Sequence, residues 1–187
     1  MSNNRSNFIT SLITMQKQAS KDSTRYAMTS VCLDIVGDKL RLRATDGHAL
    51  AIQVIDIPDE LLLTDPYMVD PDSIKILKSL FNSNKKGYWV LKMLENGKIQ
   101  VGLAGGVSIT LERLAGEYPD TNRVMPKDLN FKLALNPFLL GQLCEAMREN
   151  KSDNLCVLEM NTSEKLSAIL VHFGENSGVI MPCRVPK

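Results

Sequence analysis

No stretch of this sequence approaches the ~18 consecutive apolar residues that a membrane-spanning helix needs. The opening residues MSNNRSNF lack the apolar run and the small-residue cleavage site of a secretory signal, so the cytoplasm is the expected compartment. An excess of one charge is lacking too: 22 basic residues against 21 acidic ones leave a net charge of +1. That excludes a chain drawn to nucleic acid over its whole surface, and any such attraction has to come from local clusters. The four cysteines, Cys32, Cys144, Cys156 and Cys183, are scattered, with no CxxC pair and no histidine at zinc-like spacing. They read as free thiols in apolar surroundings, with no metal centre and no disulfide framework. No nucleophile elbow, glycine-rich phosphate loop or HExxH helix occurs, so neither an enzyme nor a cofactor is expected. Aromatic residues are sparse at 5%, but 44% of the 187 residues are hydrophobic and 23% charged. That is globular composition, enough for one large domain or about one and a half small ones.

What the sequence does contain is a repeat. Residues 88–101 (YWVLKMLENGKIQV) and 155–168 (LCVLEMNTSEKLSA) align without gaps, and 31–44 (VCLDIVGDKLRLRA) is a weaker third copy. Each is an alternating strand, a polar turn and a second alternating strand, the pattern of a β-hairpin. Further strands are expected over 48–57, 107–114 and 177–184.

A helical segment precedes each hairpin, at 7–20, 72–82 and 137–149. Phe8, Leu12, Met15 and Ala19 make one buried stripe on the first, leaving Ser11, Thr14, Gln18 and Lys21 outside. Asp70 or Asp72 with Pro71 starts the second, whose Ile74, Leu77, Leu80 and Phe81 face inward, with Lys75, Lys78 and Asn82 on the other side. Asn136-Pro137 opens the third, where Leu139, Leu140, Leu143, Cys144 and Met147 are expected to be buried and Gln142, Glu145, Arg148 and Glu149 exposed. Three α+β units result. Two can bury their helices against a shared pair of sheets, so 1–126 reads as a complete domain and 127–187 as half of one, with the Pro- and Asp-rich stretch from Tyr118 to Asn130 at the boundary.

The string Ala44-Thr45-Asp46-Gly47-His48-Ala49-Leu50-Ala51 interrupts strand alternation and at once resumes it, as a tight turn between strands does. A carboxylate–imidazole pair of Asp46 and His48, as in a hydrolase, is the catalytic rival; it would lose rate on His48→Ala. The other histidine, His172, lies in an apolar strand and reads as a half-buried side chain.

Taken with Arg25-Tyr26, the GEYPDTNRVMP segment and the C-terminal GVIMPCRV, this string makes the chain resemble the bacterial DNA polymerase III beta sliding clamp family. There an ATDGHRLA turn, a G-x-F/Y-P-D-Y-x-x-V-x-P linker and a V-M-P-M-R-L tail recur, and the likeness runs over essentially the whole chain. The resemblance implies the DNA clamp fold, an α+β class, with helices on the inner face of a ring and antiparallel sheets outside. It implies a processivity factor in DNA replication: a homo-oligomeric ring that encircles double-stranded DNA without reading its sequence. Arg25 and Tyr26 match the loop that touches DNA in the family. Lys17, Lys21, Lys75, Lys78 and Arg148 are the further candidates for phosphate contact, with Lys151 beside them.

The resemblance also implies an apolar pocket for short extended peptides from polymerases, the clamp loader and repair proteins. Its walls would be Met28, Thr45, Gly47, His48, Leu50, Pro126, Met181, Pro182 and Arg184. Ala49 replaces the family's arginine in the turn, and Cys183 its second methionine in the tail. The family has three complete domains per chain, whereas this chain carries one and the second half of another. A ring of about twelve units would then close as a tetramer, the third units pairing across a two-fold axis. The other expectation is a clamp-like interaction protein that inhibits host replication proteins, or acts as their decoy, without encircling DNA.

Overall fold

The alternation over 31–45 folds into an antiparallel hairpin, β1 (Val31–Val36) and β2 (Lys39–Thr45), in which Leu33 pairs with Leu42 and Ile35 with Leu40. Gly37 turns the hairpin at φ +61, a conformation that residues with a Cβ adopt reluctantly. The structure is a computed structural model and describes residues 2–84, 87–129, 131–147, 155–163 and 167–184. The chain divides into two compact units, Met1–Val124 and Met125–Lys187.

In the first unit β3 (Leu50–Asp56) and β4 (Tyr67–Val69) complete a sheet of order β3-β2-β1-β4. A second sheet, β5-β6-β7, is built from Trp89–Met93, Ile99–Leu103 and Ser108–Leu111. The helices are α1 (Ser2–Met15) and α2 (Pro71–Ser83). Asp70 caps α2: its carboxylate accepts from the Ser73 amide at 2.9 Å, and Pro71 occupies the first turn, where no donor is missed. One core joins both modules, with Phe8 and Leu12 from α1, Leu33 and Leu42 from the first sheet, Ile74 and Leu77 from α2, and Leu91 and Val101 from the second sheet. Truncating any of these to alanine costs about 2–5 kcal/mol.

Two expectations for α1 need correction. The helix begins at Ser2, five residues before the expected start, because the polar run SNNRSN carries no hydrophobic period to announce it. It ends at Met15, where a 3₁₀ turn, Gln16–Gln18, leads into extended backbone at Ala19. Lys17 therefore sits in that turn and Lys21 beyond it. Ser11 is buried rather than exposed, since α1 packs against α2 as well as strands β2, β3 and β5, and so has more than one covered side.

The second unit has α3 (Pro137–Met147) and a three-stranded sheet of order β10-β9-β8, from Asn176–Ile180, Ile169–Phe173 and Val157–Glu159. Asn136 opens α3 by accepting from the amides of Phe138 and Leu139. The helix lies close on β10, for a Cβ added to Gly178 would be 2.7 Å from Leu143. The core is small: Met147, Ile169, Val171, Phe173 and Ile180. Leu139, expected inside, is 51% exposed, because a single sheet covers only one side of the helix.

The gapless repeat also misplaces a strand here. The partner of β8 is β9, later than 168, with Glu159 opposite Leu170. Alternate burial of Ile169, Val171 and Phe173 selects that register. Lys165 and Leu166, which carried part of the alignment, lie outside the described residues. Of the cysteines, Cys32 is buried, Cys144 and Cys156 are half-buried, and Cys183 is exposed, its amide donating to the Ala134 carbonyl. His172 is half-buried and faces Glu159 at 3.4 Å. No helix among the described residues is long and apolar enough to cross a membrane.

Candidate functional site

Pairing of Thr45 with Leu50 leaves four residues, Asp46 to Ala49, to reverse the chain between β2 and β3. The turn is self-bonded. The Thr45 hydroxyl donates to the Ala49 carbonyl at 2.7 Å and accepts from the Gly47 amide at 3.1 Å. The Asp46 carboxylate accepts from the amides of Ala49 and His48, both at 2.9 Å. Those two amides, Ala49 first, hold its carboxyl below the usual carboxylate range. Gly47 adopts φ +89. The carboxylate is thus directed at the backbone of its own turn, an Asx-type arrangement that makes a connection between strands rather than an acid–base pair.

A second segment stands beside the turn. Asp22 caps a 3₁₀ helix, Ser23–Thr29, by accepting from the Thr24 amide. From it Arg25 reaches across and donates to the Asp46 carbonyl at 2.9 Å, with its Nε 3.7 Å from Asp22. Tyr26 is 52% exposed, whereas Met28 is half-buried toward the turn.

The opposite wall comes from far along the chain, where Pro119 and Asp120 lead into a 3₁₀ helix, Thr121–Val124. Arg43 holds it. This side chain is buried in β2, donates to the Thr121 hydroxyl at 2.9 Å and to the Cys32 sulfur at 3.4 Å, lies 3.5 Å from Asp34, and has its guanidinium 5.4 Å from the Tyr118 ring. Asp34 pairs with Arg41 as well. Burial pushes the Tyr118 phenol up to about 12.

Between these walls lies a cavity of about 340 Å³, lined by Met28, Thr45, Gly47, His48, Ala49, Leu50, Pro119, Asp120, Thr121 and Val124. Five of the residues expected at a pocket are therefore brought together: Met28, Thr45, Gly47, His48 and Leu50. Ala49 and the stretch from Pro119 to Val124 were not anticipated as lining. One sign was available, an arginine at position 43 in the middle of a strand whose neighbours are buried, since such a charge requires a polar cover. Pro126, Met181, Pro182 and Arg184 belong to the second unit, where Pro126, Met181 and Arg184 are exposed and Pro182 is half-buried. Among the expected cations, Lys17, Lys21, Lys75 and Lys78 are exposed, the last two one turn apart on α2. Arg148 and Lys151 lie outside the described residues. No cluster of three metal-ligating side chains occurs among the described residues.

The model of the family described as DNA polymerase III beta subunit, central domain, matches residues 4–120. The chain belongs to the DNA polymerase III beta subunit family. The matched region contains the turn, the Arg25 loop and the start of the opposite wall. The beta sliding clamp of Staphylococcus epidermidis is 27% identical over 127 residues, covering 63% of this chain and 30% of that protein. In overall fold the chain is similar to the Bacillus subtilis DNA polymerase sliding clamp, with a TM-score of 0.74 at 21% identity over 95% of this chain and 47% of that one. A sliding clamp from Bartonella birtlesii, solved bound to griselimycin, gives 0.69 at 21% identity over 97% of this chain and 65% of that one. The fold is the α+β clamp fold. The chain spans under a third of the staphylococcal relative and about half of the Bacillus clamp.

Proposed function

We propose that this member of the beta subunit family acts as a sliding clamp: a homo-oligomeric ring around duplex DNA that tethers a polymerase through extended peptides seated in the pocket beside the Asp46–Gly47 turn. The observation that carries this reading is the pocket itself. Its apolar surfaces from Met28, Leu50 and Val124, with the Thr45 hydroxyl and His48 imidazole among them, are what a short extended peptide needs for affinity and register. Tethering raises the local concentration of polymerase at its template, so dissociation is followed by rebinding to the same site.

In this reading Lys17, Lys21, Lys75 and Lys78, with the loop of Arg25 and Tyr26, meet phosphates loosely, and Arg148 joins them. Loose phosphate contacts carry no sequence information and permit sliding. Pro126, Met181, Pro182 and Arg184 are the further candidates for peptide contact, on the second unit. Residues 127–187 act as half a clamp domain completed by another copy of the chain, giving a tetrameric ring. The exposed Phe138 and Leu139 suit such a contact.

The test is topological. The protein is loaded on nicked circular duplex DNA, which is then linearised. A ring stays on the circle and is released from the line. A protein that never remains on the circle in low salt refutes encirclement, and one that in addition captures polymerase peptides is the inhibitor or decoy instead.

A further inference from the structure

We propose that Arg25 is a positioning residue of the pocket: its guanidinium is the strut that holds the Asp46–Gly47 peptide, and hence the pocket's central turn, in place. The inference rests on the pocket reading above and assigns to Arg25 a task that the resemblance does not.

The turn's own side chains restrain most of it. Thr45 and the Asp46 carboxylate take up the amides of Gly47, His48 and Ala49 and the carbonyl of Ala49. The Asp46 carbonyl points the other way, and the hydrogen bond it accepts comes from Arg25 Nη1 at 2.9 Å, across 21 residues of sequence. The same nitrogen packs against Gly47: a Cβ placed there would come within 2.4 Å of it, with Arg25 Cζ at 3.6 Å and the Met28 sulfur at 3.9 Å. Glycine at 47 therefore serves two purposes. It adopts φ +89, and it leaves open the space that the guanidinium fills. The far side of the guanidinium faces Asp22, which is itself fixed by the amide and hydroxyl of Thr24. The strut is thus anchored at both ends, and a charged donor on a carbonyl makes a stronger bond than a neutral one.

Hydrogen exchange at the amides of residues 47–49, and titration with a fluorescein-labelled pentapeptide bearing two leucines and a C-terminal phenylalanine, test this on the full-length protein. Arg25→Ala is expected to speed exchange at 47–49 about tenfold, with β1 and β2 amides unchanged, and to weaken the peptide by a similar factor. Arg25→Lys, which keeps a donor but loses the planar fork, falls between. Gly47→Ala reproduces both effects, and its cost is smaller in the Arg25→Ala background because the clash is gone. Exchange within about twofold of wild type in Arg25→Ala, or an equal cost of Gly47→Ala in both backgrounds, overturns the proposal. A role confined to phosphate contact would instead lower the salt dependence of duplex binding and leave exchange unmoved. Should the wild-type protein not bind the pentapeptide, the pocket reading fails, while the exchange arm still decides whether the strut exists.

Discussion

Replacing Arg43 by methionine tests how one wall of the pocket is attached to the sheet. Methionine keeps most of the side-chain length and restores an apolar strand interior, so the effect isolates the polar contacts. Four are lost: the bond to Thr121 at 2.9 Å, the weaker one to the Cys32 sulfur at 3.4 Å, the approach to the Tyr118 ring, and one of two cations beside Asp34. Leaving the Thr121 hydroxyl buried without this donor costs about 1–3 kcal/mol, and the guanidinium–ring contact is worth about 0.5–2 kcal/mol. Asp34 keeps Arg41, so its share is small. Relief of the arginine's own desolvation works in the other direction, and the net loss is about 2 kcal/mol.

Trp89 makes the assay selective. It is the chain's one tryptophan and is buried in the first unit, so its fluorescence during urea unfolding reports that unit. A lower urea midpoint with unchanged slope is expected, together with weaker pentapeptide binding, because Pro119, Asp120 and Thr121 line the cavity. In a double-mutant cycle Thr121→Val should cost markedly less once Arg43 is gone. A midpoint and a peptide affinity both equal to wild type would refute the account of how residues 118–124 are held.

Tyr118 gives a signature in alkali. Its phenol ionises near 10 unfolded and at about 12 folded, so the folded state holds the proton more tightly and stability falls as pH rises from 10 to 12; Tyr118→Phe should flatten that decline in urea midpoints. Asp46 has the opposite sign. Its carboxyl is held low by the Ala49 and His48 amides, so the turn keeps its protection above the ordinary carboxylate pKa and loses it as pH falls through the lower folded value; Asp46→Ala should show fast exchange at 48 and 49 even at neutral pH. Removing the α2 cap with Asp70→Ala should cost about 1 kcal/mol by the Trp89 assay, with little change at the pocket. Leu139→Glu should abolish self-association in sedimentation without altering the circular dichroism spectrum, and unchanged assembly would count against completion of the second unit through α3.

Much of this architecture is written in short-range pattern. Alternation over 31–45, the Asp70-Pro71 start of α2, and the Asp-Gly turn before β3 all depend on residues within a few positions of one another, and the structure has each of them. The start of α1 was not legible, because a polar helical turn has no period. The β8–β9 register was not legible either, because an alignment of repeats carries one hairpin's spacing onto another, whereas alternate burial of Ile169, Val171 and Phe173 sets the actual pairing.

Sequence by itself determined the hairpin over 31–45 and the start of α2, through local period and turn chemistry, and the family likeness, through contiguous motifs; five of the residues around the cavity came with that likeness. Tertiary structure alone decided that Ser11 is buried, that Arg25 braces Gly47, and that Thr121 meets Arg43 across 78 residues. Such pairings arise when two distant segments close over the same sheet. They are set by the geometry of packing: Arg43 among buried strand neighbours signals that a polar cover is needed, but only packing decides which distant residue supplies it.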